Sequence, residues 1–163
     1  MKTRAIQDIH PPNHDKMSAK YCMFSSPKIH PICEVEQVCV HEGKTSYYGI
    51  LVNGKKNIQG IYVDRSAHVE YTGEWKDDHI HGKGTIKNYF DQREFTGEFH
   101  MNRMVRGTLR WADGTVYQGG FENDELSGVG KLQWTNGFTY EGKFANGAIC
   151  GPGVYKHRKG IRR

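Results

Sequence analysis

Cysteine and histidine side chains near the N-terminus are the first candidates for chemistry. Cys22, His30, Cys33, Cys39 and His41 offer the thiolate and imidazole donors that a zinc ion takes. Structural zinc sites space their paired ligands by roughly two to four residues. Here the three cysteines stand 11 and 6 positions apart, so no zinc knuckle can be drawn. Free or buried thiols are the expected state, with no metal. His79 and His81, two positions apart on a turn-to-strand segment, have the spacing of either a ligand pair or structural residues, and His100 stands alone. Glu74, Glu98, Glu122 and Glu141 recur near outward strand positions, as a solvated row rather than an acid/base pair. The sequence holds no nucleophile elbow, no His-Glu-x-x-His, no P-loop and no dinucleotide turn before a helix. Neither an enzyme activity nor a cofactor is expected.

Charge marks one further site. The net charge of +5 divides into +1 over residues 1–46, −1 over 47–155 and +5 over 156–163. Lys156, Arg158, Lys159, Arg162 and Arg163 therefore carry the basic character of the whole sequence. A frayed, solvated tail is one reading, and contact with an anionic surface such as acidic lipid is another. Specific nucleic-acid recognition lacks a reading helix or an RNA-stacking motif. The first ten residues are mixed and polar, and no apolar run reaches the ~18 residues of a membrane span. With four scattered cysteines, an intracellular, reducing compartment is expected.

The elements that would position these groups follow from a repeat. Aromatic residues recur at Tyr47, Tyr71, Phe95, Tyr117 and Tyr140, at intervals of 24, 24, 22 and 23. Glycine follows two positions later each time, at Gly49, Gly73, Gly97, Gly119 and Gly142. A late glycine recurs at Gly60, Gly84, Gly107, Gly130 and Gly153. A second aromatic follows at Trp75, Phe99, Phe121 and Phe144, and Trp111 and Trp134 close two of the units. Alternation at period two on both sides of a polar turn predicts a β-hairpin. Glycine leaves room over the backbone for a ring from the neighbouring strand to lie flat. The turn of the Tyr117 unit is read at Asn123-Asp124-Glu125-Leu126, and Asp113-Gly114 and Asn136-Gly137 are read as links between units.

At these residues the sequence resembles the MORN repeat (membrane occupation and recognition nexus). Its aromatic-x-Gly-x-aromatic, turn, His-Gly-x-Gly pattern is matched best by Tyr71, Gly73, Trp75 and His81-Gly82-Lys83-Gly84. Gly128/Gly130 and Gly151/Gly153 match nearly as well. The Phe95 copy is one residue short and has Val105 in the first late-glycine place, and the Tyr47 copy has Ile58 there. Looser or distorted units are expected at both.

The expected fold is all-β: an elongated, twisted antiparallel meander of stacked MORN hairpins with an irregular N-terminal arm. Its parts are the arm (1–33), a capping half-repeat strand (34–46), five repeats (47–70, 71–94, 95–116, 117–139, 140–155) and a basic tail (156–163). The resemblance implies a non-enzymatic protein-interaction scaffold or assembly component of a cytoskeletal structure such as the ciliary or flagellar axoneme. It also implies cytoskeletal or ciliary protein partners and pairing into a homodimer. A peripheral membrane adaptor, binding acidic phospholipid through repeats and tail, is the alternative.

Overall fold

Period-two alternation extends the chain, and short polar turns return each segment against its predecessor. A computed structural model of the protein describes residues 34–157. Eleven strands run in order: β1 (Val35–Glu42), β2 (Thr45–Val52), β3 (Lys55–Asp64), β4 (Val69–Lys76), β5 (His79–Asn88), β6 (Arg93–His100), β7 (Arg103–Arg110), β8 (Val116–Glu122), β9 (Glu125–Gln133), β10 (Phe138–Ala145) and β11 (Ala148–His157). They form one open antiparallel sheet in which spatial order equals sequence order. The described residues contain no helix.

Strands β2–β3, β4–β5, β6–β7, β8–β9 and β10–β11 are the hairpins of the five units. Strand β1 pairs with β2 through Val40–Tyr47 and Val38–Gly49, in the manner of a unit's second strand. The arm at 1–33 lies outside the described residues.

Two-residue turns close the hairpins. Asn53-Gly54, Asp77-Asp78, Met101-Asn102, Asn123-Asp124 and Asn146-Gly147 all have positive φ at both residues, which matches the right-handed strand twist. The turn of the Tyr117 unit is thus narrower than its sequence suggests, because Glu125 and Leu126 already belong to β9. Three of the five turns do without glycine: Asn and Asp tolerate this left-handed backbone, and Met101 adopts it at φ +48°. The links between units are wider, and Gly114 and Gly137 close two of them at φ +84° and +87°.

One face of the sheet carries the core, a thin aromatic layer. Tyr71, Tyr117 and Tyr140 are fully buried, and Tyr47, Trp75, Phe95, Phe99, Phe121 and Phe144 nearly so. Glycines face each other across the ladder at Gly49–Gly60, Gly73–Gly84, Gly97–Gly107, Gly119–Gly130 and Gly142–Gly153. Each unit's leading ring lies over its pair: a Cβ at Gly130 would sit 2.5 Å from the Tyr117 ring. The phenols of Tyr47, Tyr71, Tyr117 and Tyr140 donate to the carbonyl three residues on, at 2.8–3.4 Å. Rings then meet edge to face in an unbroken row: Tyr47, Trp75, Tyr71, Phe99, Phe95, Phe121, Tyr117, Phe144, Tyr140. Such contacts add about 0.5–1.5 kcal/mol each beyond burial. Trp111 and Trp134 pack half-buried against this layer.

A single reason for all the glycines does not survive the geometry. Gly82, Gly128 and Gly151 seat no ring; they have φ of +72°, +71° and +76° in a bulge of the second strand. In β8–β9, Gly119 pairs with Gly130 but Gly120 pairs with Ser127, which leaves Gly128 and Val129 unmatched. Ile58 occupies the same place at φ +62°, a conformation that costs a β-branched residue about 1–2 kcal/mol. The Phe95 unit avoids the problem. Glu98 pairs with Arg106 and Phe99 with Met104, so Val105 alone bulges and its backbone stays ordinary. Its missing residue and its missing glycine are one change.

Candidate interaction surface

Alternation turns every residue between the core positions to the opposite, outer face. Its central row runs across the strands through Thr72, Thr85, Thr96, Thr108, Gln118 and Lys131. Thr85 and Thr96 share a hydrogen bond of 3.0 Å. Charges flank this row with acids on first strands and bases on second strands. Glu94 stands between Lys87 and Arg110, and Glu98 between Lys83 and Arg106. Lys87 and Glu94 approach to 3.7 Å, while Lys131 and Glu141 meet at 2.8 Å. The hydrogen bond from Lys131, helped by Lys131 and Lys156 charge, holds the Glu141 carboxyl below its ordinary range. These are exposed pairs, worth little in stability, that fix the pattern of the surface. Glu74 and Glu122 complete the four carboxylates; they lie apart along the sheet, and Glu122 accepts from Ser127 Oγ at 3.3 Å.

The histidines and cysteines divide differently from the sequence expectation. His79 Nδ1 lies 2.7 Å from the Asp77 carbonyl, so it belongs to a turn. His81 instead packs on His100, with ring centroids 5.0 Å apart. His100 is therefore not isolated; the Gly82–Phe99 pairing brings the two rings together. Cys39 Sγ lies 3.5 Å from His41 Nε2, and His41 Nδ1 lies 2.8 Å from Ser46 Oγ. Among the described residues no three His, Cys, Asp or Glu side chains converge on a metal position. Cys22, His30 and Cys33 lie outside the described residues.

In the tail, Lys156 approaches Glu141 at 3.9 Å and remains mostly exposed. The His157 ring packs on Phe138 at 4.1 Å. Arg158, Lys159, Arg162 and Arg163 lie outside the described residues.

Two positions were missed from sequence. The second residue beyond each turn is Lys56, Ile80, Met104, Leu126 or Ile149, and each pairs with the strand before it at the same register. Ile80, Met104 and Leu126 are buried there. Lys56 stands in their place with its ammonium 5.4–5.5 Å from the rings of Tyr47, Tyr62 and Trp75. Burial depresses its pKa, which the Asp78 and Glu42 charges partly offset. The second is a lateral staple. The last turn residue of a unit accepts from the backbone N–H of this column in the preceding unit: Asp78 from Lys56 at 2.8 Å, Asn102 from Ile80 at 2.7 Å, Asp124 from Met104 at 3.1 Å. Each also donates its own N–H back at the first two sites.

Comparison with protein families matches the MORN repeat at residues 71–87, 95–116, 117–139 and 140–162, just over half of the sequence. The first unit, residues 47–70, is not among the matched stretches although its hairpin has the same pairing. Among curated proteins, 50 residues are 38% identical to a protein described as an inactive protein tyrosine kinase, pTKL, of Plasmodium berghei (strain Anka). That match covers 31% of this chain and only 4% of the relative's length.

Proposed function

The chain belongs to the MORN-repeat family, and from that premise we propose that it is a non-enzymatic interaction scaffold, an assembly component of a cytoskeletal structure such as the ciliary or flagellar axoneme. MORN repeats are generally protein- or membrane-interaction modules, and the family is generally non-catalytic. The observation that carries the protein-binding reading is the outer face. Its central row is threonine from β4 to β7, bordered by charges of alternating sign, and continues as Gln118, Lys131 and Glu141 from β8 to β10. Such a surface suits an extended protein partner with a complementary charge register, since paired charges select register more than they add affinity. Affinity capture from ciliated cells, with the intact chain and with a Thr85→Lys/Thr96→Lys variant, tests it. Axonemal proteins should be retained by the first and lost by the second; capture without cytoskeletal proteins, or indifference to the variant, would overturn the reading.

The uneven charge supports a second reading, a peripheral membrane adaptor. Five bases and no acid in residues 156–163 would bring the chain weakly to acidic phospholipid, at about 1 kcal/mol per base. Sedimentation with phosphatidylserine vesicles should then show binding that disappears with salt and on removal of residues 156–163. Binding at neither low nor high salt would eliminate it.

A further inference from the structure

The outer face changes character in the first unit. Where the second unit presents Thr72, Glu74, Thr85 and Lys87, the first presents Tyr48, Ile50, Ile61 and Val63 at the same register. Tyr48 and Ile61 are 51% and 39% exposed. Ile58 joins them. Its counterpart Gly82 shows where the left-handed backbone aims a side chain: a Cβ there would lie 3.1 Å from the Cβ of Glu74. Glu74 stands in the place of Ile50, so Ile58 extends the apolar surface and remains 51% exposed. A strained β-branched residue is held at a position where three sister units have glycine, and its side chain gains little burial in return. Val35, 60% exposed, lies at the same end of the sheet, paired with Val52. Five large apolar side chains replacing threonine, glycine and charge form a contact surface that nothing among the described residues covers.

We propose that this surface is the docking site of the chain's own N-terminal segment, residues 21–32, rather than of a separate molecule. The polypeptide enters the sheet at Val35, on the border of the patch. Tyr21, Met23, Phe24, Ile29 and Ile32 make this stretch apolar, with Lys28 its one Lys, Arg, Asp or Glu. That matches a patch without a charged side chain. Residues 1–20, by contrast, contain Lys2, Arg4, Asp8, Asp15, Lys16 and Lys20. Reach is ample. Residues 25–34 separate Phe24 from Val35, about 30 Å at ~3.3 Å per residue. The patch is three strands wide, about 10 Å at ~4.8 Å per strand spacing. Tethering gives this segment an effective concentration that a free partner must exceed. The consequence is that the first unit is an internally occupied platform, and partner binding belongs to the polar face beyond it.

The test uses the full chain with Phe24 replaced by photo-reactive benzoylphenylalanine. Irradiation should give adducts within one chain, of monomer mass, mapped to Tyr48, Ile50, Ile58 or Ile61. An Ile58→Gly/Ile61→Thr variant installs the residue types of the second unit, and its adduct yield should fall about tenfold as that apolar contact is lost. Tyr48→Thr should lower the yield independently, with circular dichroism unchanged in both. Adducts joining two chains, adducts on β4–β11, or no adduct at all would overturn the proposal.

Discussion

Gly128 and Gly130 stand two positions apart on β9 and do different work. Gly130 leaves room for the Tyr117 ring, whereas Gly128 has open space around it and a φ of +71°. Gly130→Ala should therefore cost about 2–3 kcal/mol by overpacking a ring held between strands. Gly128→Ala meets no atom and should cost about 1 kcal/mol, from its backbone alone. Urea denaturation of the two variants checks the order, and the reverse order would refute the ring-seat account. The tyrosines supply a second prediction. Burial pushes the Tyr47 and Tyr62 phenols up to about 12, while an unfolded tyrosine ionises near 10.0. Between those values the unfolded chain has lost protons that the folded one retains, so stability falls as pH rises. The loss should begin near pH 10 and run through about 12, and Tyr47→Phe/Tyr62→Phe should lessen it in denaturation curves taken across that range, leaving the part due to Tyr71 and Tyr117, whose phenols burial also raises.

At the scale of the element, the hairpin turn is also a staple to its neighbour. Asp124 accepts from the Met104 N–H, yet burial raises its carboxyl pKa, against that hydrogen bond and the Arg103 charge. Asn102 fills the same place without a charge and holds Ile80 at 2.7 Å. Asp124→Asn should thus stabilise the chain at neutral pH by about 0.5 kcal/mol, allowing for solvent screening. Because the folded carboxyl binds its proton more readily, wild-type stability rises as pH falls, and the advantage of the variant should shrink in acid. These staples explain where reading the sequence stopped. The aromatic and glycine columns were legible because the same residue type returns at a fixed interval. The column Lys56, Ile80, Met104, Leu126, Ile149 was not, since its members share a place in the pairing and no common chemistry. The short turn and the missing glycine of the Phe95 unit are both visible in the sequence, but that the deletion makes the glycine at Val105 unnecessary shows only in the ladder register. His81 and His100, similarly, meet through β5–β6 pairing that their spacing does not announce.

At the scale of the molecule, each strand's ladder joins it only to its sequence neighbours and its core rings reach no further than the adjacent unit, so stability is a sum of units and the contacts between successive units. The terminal strands have one neighbour each, and β11 is exposed along almost its whole length. Hydrogen exchange should accordingly be slowest in β4–β9 and faster toward β1 and β11, in steps of one hairpin; uniform protection would instead mean one cooperative block. Fold class and unit length were the most readable properties, since both follow from periodicity. The apolar outer face of the first unit was hidden until the register set Tyr48, Ile50, Ile61 and Val63 beside one another. The coincidence of sequence order and spatial order has a mechanical meaning as well. The first and last described strands, β1 and β11, form opposite edges of the sheet, so tension between them pulls across the strands rather than along them. Hydrogen bonds of each ladder are then loaded in turn, as in opening a zipper, instead of being sheared together. Under pulling, the ribbon should yield from its edges at low force and in hairpin-sized increments, and refold in the same increments when released, which makes it extensible without breaking the middle.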